Sequence, residues 1–227
     1  MDAKRDLREV LRRGLSLDLR RHGPAEPLVD APLRKSAVLM LFGPSPEPSA
    51  GASGSASGGD GLDVLLTRRS PRMRHHPGQI AFPGGGIEPA DDGPEAAALR
   101  EAAEETGVDP HGIEMLGSLP EVYLPVSNNL VTPVLGWWRT PGETVADARE
   151  TVEVARVSVA RLLDPGCRGT SVLEFGGAVH RGPAFRFRQH DEDRIVWGFT
   201  GILLSTVFEL AGWERPWDAS RIIPVAR

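Results

Sequence analysis

Apolar residues form short continuous runs in some segments of the chain and recur at helical spacing in others. Short continuous runs predict buried strands at Ser36–Phe42 (SAVLMLF) and at Leu62–Arg68 (LDVLLTR). The same criteria predict further strands over 113–124, 130–139 and 152–157, and a hairpin near the stretch HRGPAFRF. Because strands and helices interleave without a regular βαβ order, the pattern favours an α/β fold in which helices enclose a mixed sheet, over a doubly wound parallel sheet.

Helical periodicity is found near both ends of the chain. The N-terminal segment 1–22 is predicted to contain an amphipathic helix that docks on the domain. The residues that share its apolar face are Leu7, Val10, Leu11 and Leu15. The most apolar run, 195–208, predicts a buried helix, since it is shorter than the ~18 residues that a membrane span needs. A short helix is also predicted at 160–163.

The stretch from Asp92 to Gly107 carries the start and stop signals of a helix. Asp92 and Glu95 form a capping-box pattern, Pro94 suits the first turn, and Gly107 suits the C-terminal cap. Small apolar residues predict a face that lies close against a sheet, with the glutamates of the same helix on another face. The residues of this face are Ala98, Leu99, Ala102 and Ala103.

Composition and charge restrict the class of protein. The 227 residues are enough for one domain with a full core, so we expect a single domain over 1–227. A net charge of −5 argues against a protein that binds nucleic acid over its whole surface. The single cysteine, Cys167, fits a reducing compartment and hence a cytoplasmic location. We expect no secretory signal, and we expect a flexible loop over 43–61, whose Gly, Ser and Pro residues offer little to bury.

Three carboxylates, those of Glu101, Glu104 and Glu105, crowd one turn of the predicted helix. Residues three and four apart are neighbours on a helix, so these side chains can converge on one point although their charges repel. Such oxygen ligands suit Mg²⁺ or Mn²⁺, and substrate phosphates typically complete the coordination. A solvated helix face without a ligand is the alternative interpretation. The preceding Gly84–Gly86 turn favours the metal site, because glycines let the backbone approach a metal or a substrate closely.

The spacing of these residues resembles the Nudix box, G-x5-E-x7-R-E-U-x-E-E-x-G-U, in which U is aliphatic. The match covers 86–108, from Gly86 through Asp92 to REAAEETGV, and its one departure is an aspartate where the box has a glutamate. If Gly85 is taken as the box glycine instead, the loop carries one inserted residue. The resemblance implies a Nudix-type α/β/α sandwich with a mixed sheet. It also implies a hydrolase whose metal ions activate water against the diphosphate of a nucleoside derivative.

The resemblance also implies roles for individual residues. The implied catalytic residues are Arg100, Glu101, Glu104 and Glu105. The three glutamates also hold the metal, whereas the arginine is expected to orient one of them. Nudix sites often recruit a further metal carboxylate from a later loop, for which the candidates are Glu150 and Glu153. The glycines expected at the substrate are Gly84, Gly85 and Gly86, with Gly85 also at the metal.

A second motif lies before the glycines, in LLTRRSPRMRHHPGQIAFPGG at 65–85. Its cationic run would also suit a solvated turn or, less well, a nucleic-acid patch. The stretch resembles LLTxR(S/A)x3Rx3Gx3FPGG, the motif of the coenzyme A pyrophosphatase branch of Nudix proteins, with every fixed position present. The resemblance implies cleavage of the coenzyme A diphosphate to 3′,5′-ADP and 4′-phosphopantetheine or its acyl form. Arg69 and Arg74 are the substrate-binding residues that it implies.

Two other functions are open on these residues. A Nudix hydrolase of another substrate, such as ADP-ribose, a dinucleotide polyphosphate or a nucleoside triphosphate, would use the same metal chemistry. A Nudix-fold module that binds a nucleotide without turnover is the second alternative, against which the intact glutamates argue. The expected partner is a small nucleotide, with neither nucleic acid nor membrane. A homodimer is expected from the family alone.

Overall fold

The computed structural model of the chain describes residues 2–14, 32–46, 59–73, 76–175 and 178–225. The α-helices in these ranges are α1 (Ala3–Arg13), α2 (Gly93–Thr106), α3 (Val159–Leu162) and α4 (Gly198–Leu210). The first six strands are β1 (Arg34–Pro44), β2 (Leu62–Arg69), β3 (Ile80–Ala81), β4 (Gly84–Gly86), β5 (Ile113–Ser118) and β6 (Val122–Leu124). The others are β7 (Asn129–Trp138), β8 (Thr151–Ser158), β9 (Arg168–Phe175), β10 (Ala178–Gln189), β11 (Glu192–Val196) and β12 (Ile222–Ile223).

The larger of two sheets has eight strands and a mixed topology. Its central path is β3-β2-β1-β7-β5, while β4 also pairs with β1, β6 with β7 and β8 with β2. β1 and β7 run parallel, and the other described pairs of this sheet are antiparallel. The predicted mixed sheet is therefore confirmed. Its topology brings the glycine strand β4 beside β1, with Gly85 opposite Ala37.

Alternating side chains of β1 point to opposite faces of this sheet and contribute to two cores. On one face, Leu39 and Leu41 pack against the small side chains Ala97, Ala98 and Ala102 of α2. On the other face, residues of β1 and β2 pack with α1, α4 and the second sheet. Large side chains of this second core include Met40, Phe42, Phe185, Phe208 and Trp213. The fold is thus the α/β sandwich that was predicted.

A separate four-stranded sheet, in the order β11-β10-β9-β12, joins the second core and was not distinguished in the sequence pattern. The stretch HRGPAFRF, near which a hairpin was predicted, lies inside the single continuous strand β10. The described turn that follows it is at His190 and Asp191, both with positive φ. Pro183 lies within this strand, opposite Thr170 of β9, although proline has no N–H to donate to the ladder.

Helix α2 is confirmed, but its capping box is wrong. Asp92 is the N-cap residue, yet its side chain makes no capping hydrogen bond, because its backbone (φ −78°, ψ 59°) lacks the extended conformation typical of a capping residue. The Glu95 carboxylate accepts a hydrogen bond from Ser118 Oγ at 3.1 Å instead. At the other end, Gly107 adopts a left-handed conformation with φ 68° and ends the helix as predicted.

Other predicted boundaries shift. The strand expected over 113–124 is divided into β5 and β6, with a register irregularity between Met115 and Gly117. The described N-terminal helix ends at Arg13, before Gly14, which has φ 71°, and Leu15 and the rest of the predicted segment to 22 lie outside the described residues. The apolar run 195–208 begins as the end of β11, so only its part from Gly198 onward is helical. A flexible loop was expected over 43–61, but β1 extends to Pro44, and residues 47–58 lie outside the described residues.

The length and composition of the helices show whether any of them could span a membrane. No helix in the described ranges is both long enough and apolar enough to cross a bilayer.

Candidate functional site

The Glu105 carboxylate is buried where α2 packs beside β4. The residue is only 6% exposed, and the Gly84 N–H donates a hydrogen bond to its Oε2 at 3.2 Å. Burial raises the pKa of Glu105 to about 7, because desolvation disfavours the charged form. The Gly84 N–H and the positive charge of Arg69 oppose this shift, whereas the negative charges of Glu101 and Glu150 add to it. The charges of three side chains, from α2 and two other segments of the chain, therefore act on the Glu105 carboxylate.

The Glu101 carboxylate lies against the backbone of Gly85. A Cβ atom at Gly85 would come within 2.5 Å of Glu101 Oε1 and 2.6 Å of Oε2, closer than real Cβ atoms approach their neighbours. Only glycine leaves room for the carboxylate at this point of β4. Burial also raises the pKa of Glu101, an effect that Arg100 opposes and that the charges of Glu104 and Glu150 increase.

Glu104 stands further out on the same helix. Its side chain is 60% exposed, and its nearest described cation is Arg100, whose Nη1 lies 3.5 Å from Oε2. As the side chains stand, no three His, Cys, Asp or Glu residues of the described ranges are arranged to hold a metal ion. Closing the three helix glutamates on one ion therefore requires side-chain rotation, above all at Glu104.

Arg100 is fixed by an acid that sequence reasoning missed. Its Nε and Nη2 bind Asp91 Oδ1 and Oδ2 at 2.9 and 3.0 Å, and Nη2 also donates to the Gly86 carbonyl at 3.1 Å. The Arg100 guanidinium lowers the pKa of Asp91, and its Nη1 holds Glu101 Oε1 at 3.0 Å. Asp92, the residue aligned with the box acid, is exposed. This pairing fits the alternative alignment, in which Gly85 is the box glycine and one residue is inserted.

The two later carboxylates occupy different surroundings. Glu150 is exposed, and its charge contributes to the raised pKa values of both Glu101 and Glu105. The Glu153 side chain is only 10% exposed, and its Oε2 binds Arg194 at 2.9 Å and Arg68 at 3.3 Å. Glu153 thus joins β8 and β2 of the larger sheet to β11 of the smaller one.

Arg69 is the cation of the upstream motif whose charge acts on Glu105. It is the last residue of β2, where the pairing with β8 becomes irregular between Arg68 and Arg69. Its Nε is buried and, among the described residues, has no hydrogen-bond partner. The guanidinium charge also lowers the pKa of Glu105, so Arg69 contributes positive charge to this region. Arg74, the other predicted substrate arginine, lies outside the described residues.

Comparison with known proteins agrees with this geometry. A family model described as the NUDIX domain matches residues 50–166. NudL of Escherichia coli K12, named as an uncharacterised Nudix hydrolase, is 33% identical over 178 residues, which are 78% of this chain and 83% of the relative. NudL of Klebsiella aerogenes, named likewise, is 43% identical over 103 residues, which are 45% of this chain and 73% of that protein.

Among solved structures, the Nudix hydrolase RenU of M. smegmatis is similar with a TM-score of 0.45 and 27% identity, over 58% of this chain and 74% of that one. The family assignment does not depend on that likeness. Since the family model spans half of the chain and a relative is matched over most of both sequences, the chain belongs to the Nudix hydrolase family.

Proposed function

We propose that this Nudix hydrolase cleaves the diphosphate of coenzyme A or of acyl-CoA, giving 3′,5′-ADP and 4′-phosphopantetheine or its acyl form. Hydrolysis of a nucleoside diphosphate derivative follows from the family. The observation that carries the finer proposal is the state of Arg69, the arginine of the LLTxRS motif: it ends β2, its buried Nε has no described hydrogen-bond partner, and its charge acts on the buried Glu105. A cation at the edge of a carboxylate cluster suits an anionic substrate that reaches the same point.

The residues present fit a divalent metal ion. The donor set consists of carboxylate oxygens, which Mg²⁺ and Mn²⁺ prefer. Burial, with a smaller contribution from neighbouring carboxylates, raises the pKa of Glu101 and Glu105, and a cation beside them would favour their charged forms. We assign the ligands to Glu101, Glu104 and Glu105, with Glu150 as the later carboxylate and the Gly85 backbone at their edge. A bound ion would supply positive charge that activates water and neutralises the diphosphate oxygens.

The remaining residues of the site orient groups rather than react. Arg100 holds Glu101 while Asp91 holds Arg100, so the ligand carboxylate is fixed through two successive contacts. Arg69 donates to phosphate oxygens from the end of β2. Arg74, the second arginine of the motif, is proposed to bind the substrate as well. Coenzyme A carries a 3′-phosphate besides its diphosphate, so more than one arginine is expected at the substrate. The Gly84–Gly86 backbone borders the same substrate.

The proposal includes a homodimer and a cytoplasmic location. The family resemblance supports the first, and the cysteine content supports the second.

The experiment that tests this function is product analysis by mass spectrometry, with purified protein, coenzyme A and Mn²⁺ or Mg²⁺ in ¹⁸O-water. We expect 3′,5′-ADP and 4′-phosphopantetheine from the wild type and almost no product from Glu105→Gln. Glu95→Gln is the matched control, because it removes a carboxylate of the same helix that contacts Ser118. Full activity of Glu105→Gln would contradict the assignment of the site.

Two further substrates separate the alternatives. If coenzyme A stays intact while ADP-ribose or a dinucleotide polyphosphate is cut, the hydrolase chemistry holds and the substrate proposal is wrong. If none of these is cut in either metal, a nucleotide-binding module is the better description.

A further inference from the structure

The loop between β7 and β8 is anchored on the C-terminal end of α2. The Val145 N–H donates to the Thr106 carbonyl at 2.8 Å, and the Asp147 N–H donates to the Glu105 carbonyl at 3.3 Å. Both acceptors are carbonyls of the last helical turn, which have no partner within the helix. The loop is therefore fixed to the residue that carries the buried carboxylate.

Within this loop, one carboxylate oxygen organises the next four residues. Asp147 Oδ1 accepts hydrogen bonds from the N–H groups of Arg149, Glu150 and Thr151, at 2.9, 3.0 and 3.2 Å. The Ala148 N–H donates to the Thr151 carbonyl at 3.1 Å, and Ala148 has φ 64°. Burial by itself would raise the pKa of Asp147, but the three N–H groups outweigh it, so the pKa lies below its ordinary value.

Glu150 is held at both of its backbone polar groups. Its N–H is bound by Asp147, and its carbonyl accepts from the Ser70 N–H at 2.7 Å. Ser70 directly follows Arg69, so the same contact joins the arginine motif to the loop. The Glu150 side chain is exposed, so packing does not fix its direction, and the backbone turn sets the direction of its Cα–Cβ bond.

We propose that Asp147 is a positioning residue, whose carboxylate fixes the backbone of Glu150 so that the Glu150 side chain faces Glu101 and Glu105. The inference rests on the proposed function in one respect, the role of Glu150 as a metal ligand. We assign no metal to Asp147, since its Oδ1 already accepts three N–H groups and its Oδ2 pairs with Arg149 Nε at 3.4 Å. Removal of a group that orients a metal ligand typically weakens metal binding about 10-fold to 100-fold.

Two substitutions separate the geometry of this acceptor from its charge. Asp147→Asn loses the charge and keeps an oxygen at the same place, whereas Asp147→Glu keeps the charge and displaces the oxygen by one methylene. With Mn²⁺ as the probe in calorimetric titration, we expect Asp147→Glu to bind the ion about tenfold more weakly. We expect Asp147→Asn to stay within about threefold of the wild type, because Asn and Asp are similar backbone caps. The control is Asp164→Ala, which removes a similar acceptor, 2.7 Å from the Gly166 N–H, beside the second sheet.

The coupling to Glu150 is measured in a double-mutant cycle. In the Glu150→Gln background, Asp147→Glu should weaken Mn²⁺ binding by less than about twofold, since the ligand that it positions is already lost. A merely structural role would give the same loss in both backgrounds, and that result would overturn the inference. Asp147→Asn binding more weakly than Asp147→Glu would overturn it as well, because charge would then matter rather than the place of the oxygen.

The cycle is independent of the substrate proposal. If the wild type leaves coenzyme A intact but the coupling is found, the proposed function fails and the inference stands. If coenzyme A is cleaved but Glu150→Gln binds Mn²⁺ as the wild type does, the inference fails and the substrate proposal stands.

Discussion

Replacement of Gly85 by alanine tests whether the glycine strand exists to admit the Glu101 carboxylate. The new Cβ would lie 2.5 Å from Glu101 Oε1, against about 3.4 Å for an ordinary contact, so the carboxylate must move by about 0.9 Å. A displacement of this size in a catalytic group can cost about 100-fold in rate, which equals about 2.7 kcal/mol of transition-state stabilisation. We therefore expect kcat/KM for coenzyme A to fall about 100-fold.

The fold should tolerate the same change. Gly85 does not need a positive φ, and the clashing atoms are the far end of a flexible side chain. We expect the free energy of unfolding, measured by urea denaturation without metal, to stay within about 1 kcal/mol of the wild type. Activity and stability should thus separate in this variant.

Two other glycines provide the comparison. In the described structure, a Cβ at Gly142 or at Gly86 would meet no atom within 4 Å. Gly142→Ala, in the loop after β7, should leave kcat/KM unchanged. Gly86 lies in the same strand as Gly85, and kcat/KM of Gly86→Ala should be at least about tenfold higher than that of Gly85→Ala. Equal losses at Gly85 and Gly86, or full activity of Gly85→Ala, would refute the reasoning.

Three further predictions concern the carboxylates. The pKa of Glu105 is raised from 4.5 in the unfolded chain to about 7 in the folded one, so its contribution favours folding at low pH and is lost as pH rises through that window. The free energy of unfolding of Glu105→Gln, compared with that of the wild type, should therefore be more favourable at pH 8 than at pH 4.5 by about 3 kcal/mol. Urea unfolding of the metal-free protein in EDTA measures this difference, and the same pH dependence in variant and wild type would disprove the prediction. Glu153→Gln should lower the free energy of unfolding by roughly 1–3 kcal/mol and leave Mn²⁺ affinity within about twofold of the wild type. Glu150→Gln should weaken Mn²⁺ binding and leave the free energy of unfolding nearly unchanged, and calorimetry measures both quantities. Asp91→Asn should reduce kcat/KM by about tenfold or more while Asp92→Asn has little effect, and the opposite order would favour the uninterrupted box alignment.

Much of the fold follows from local sequence signals. The continuous apolar runs of β1 and β2 predict buried strands because each run presents side chains to both faces of a covered sheet. Helix α2 is legible in outline, since Ala98 and Ala102 of the predicted face are buried and Gly107 adopts the conformation that ends the helix. The prediction that the glutamates lie on another face is wrong for Glu105, which is buried with Ala97. The second sheet was not foreseen, because the pairing of β9, β10, β11 and β12 joins segments whose own patterns do not tell which sheet they enter.

The candidate site shows the same division. The spacing of Glu101, Glu104 and Glu105 places them on neighbouring turns of a helix whatever the rest of the chain does, so the sequence by itself determined that carboxylates gather there. That Arg100 binds Asp91, and not the box-position residue Asp92, depends on the backbone path before the helix, which spacing does not set.

Only the tertiary structure decided the surroundings of the later carboxylates. Glu153 lies opposite Arg68 in the pairing of β8 with β2 and contacts Arg194 of the second sheet, whereas the charge of Glu150 acts on Glu101 and Glu105. The two residues are three positions apart in one polar stretch, and no local pattern separates them. Electrostatic and hydrogen-bond partners are set by distance in space, which the chain acquires only when strands far apart in sequence pair.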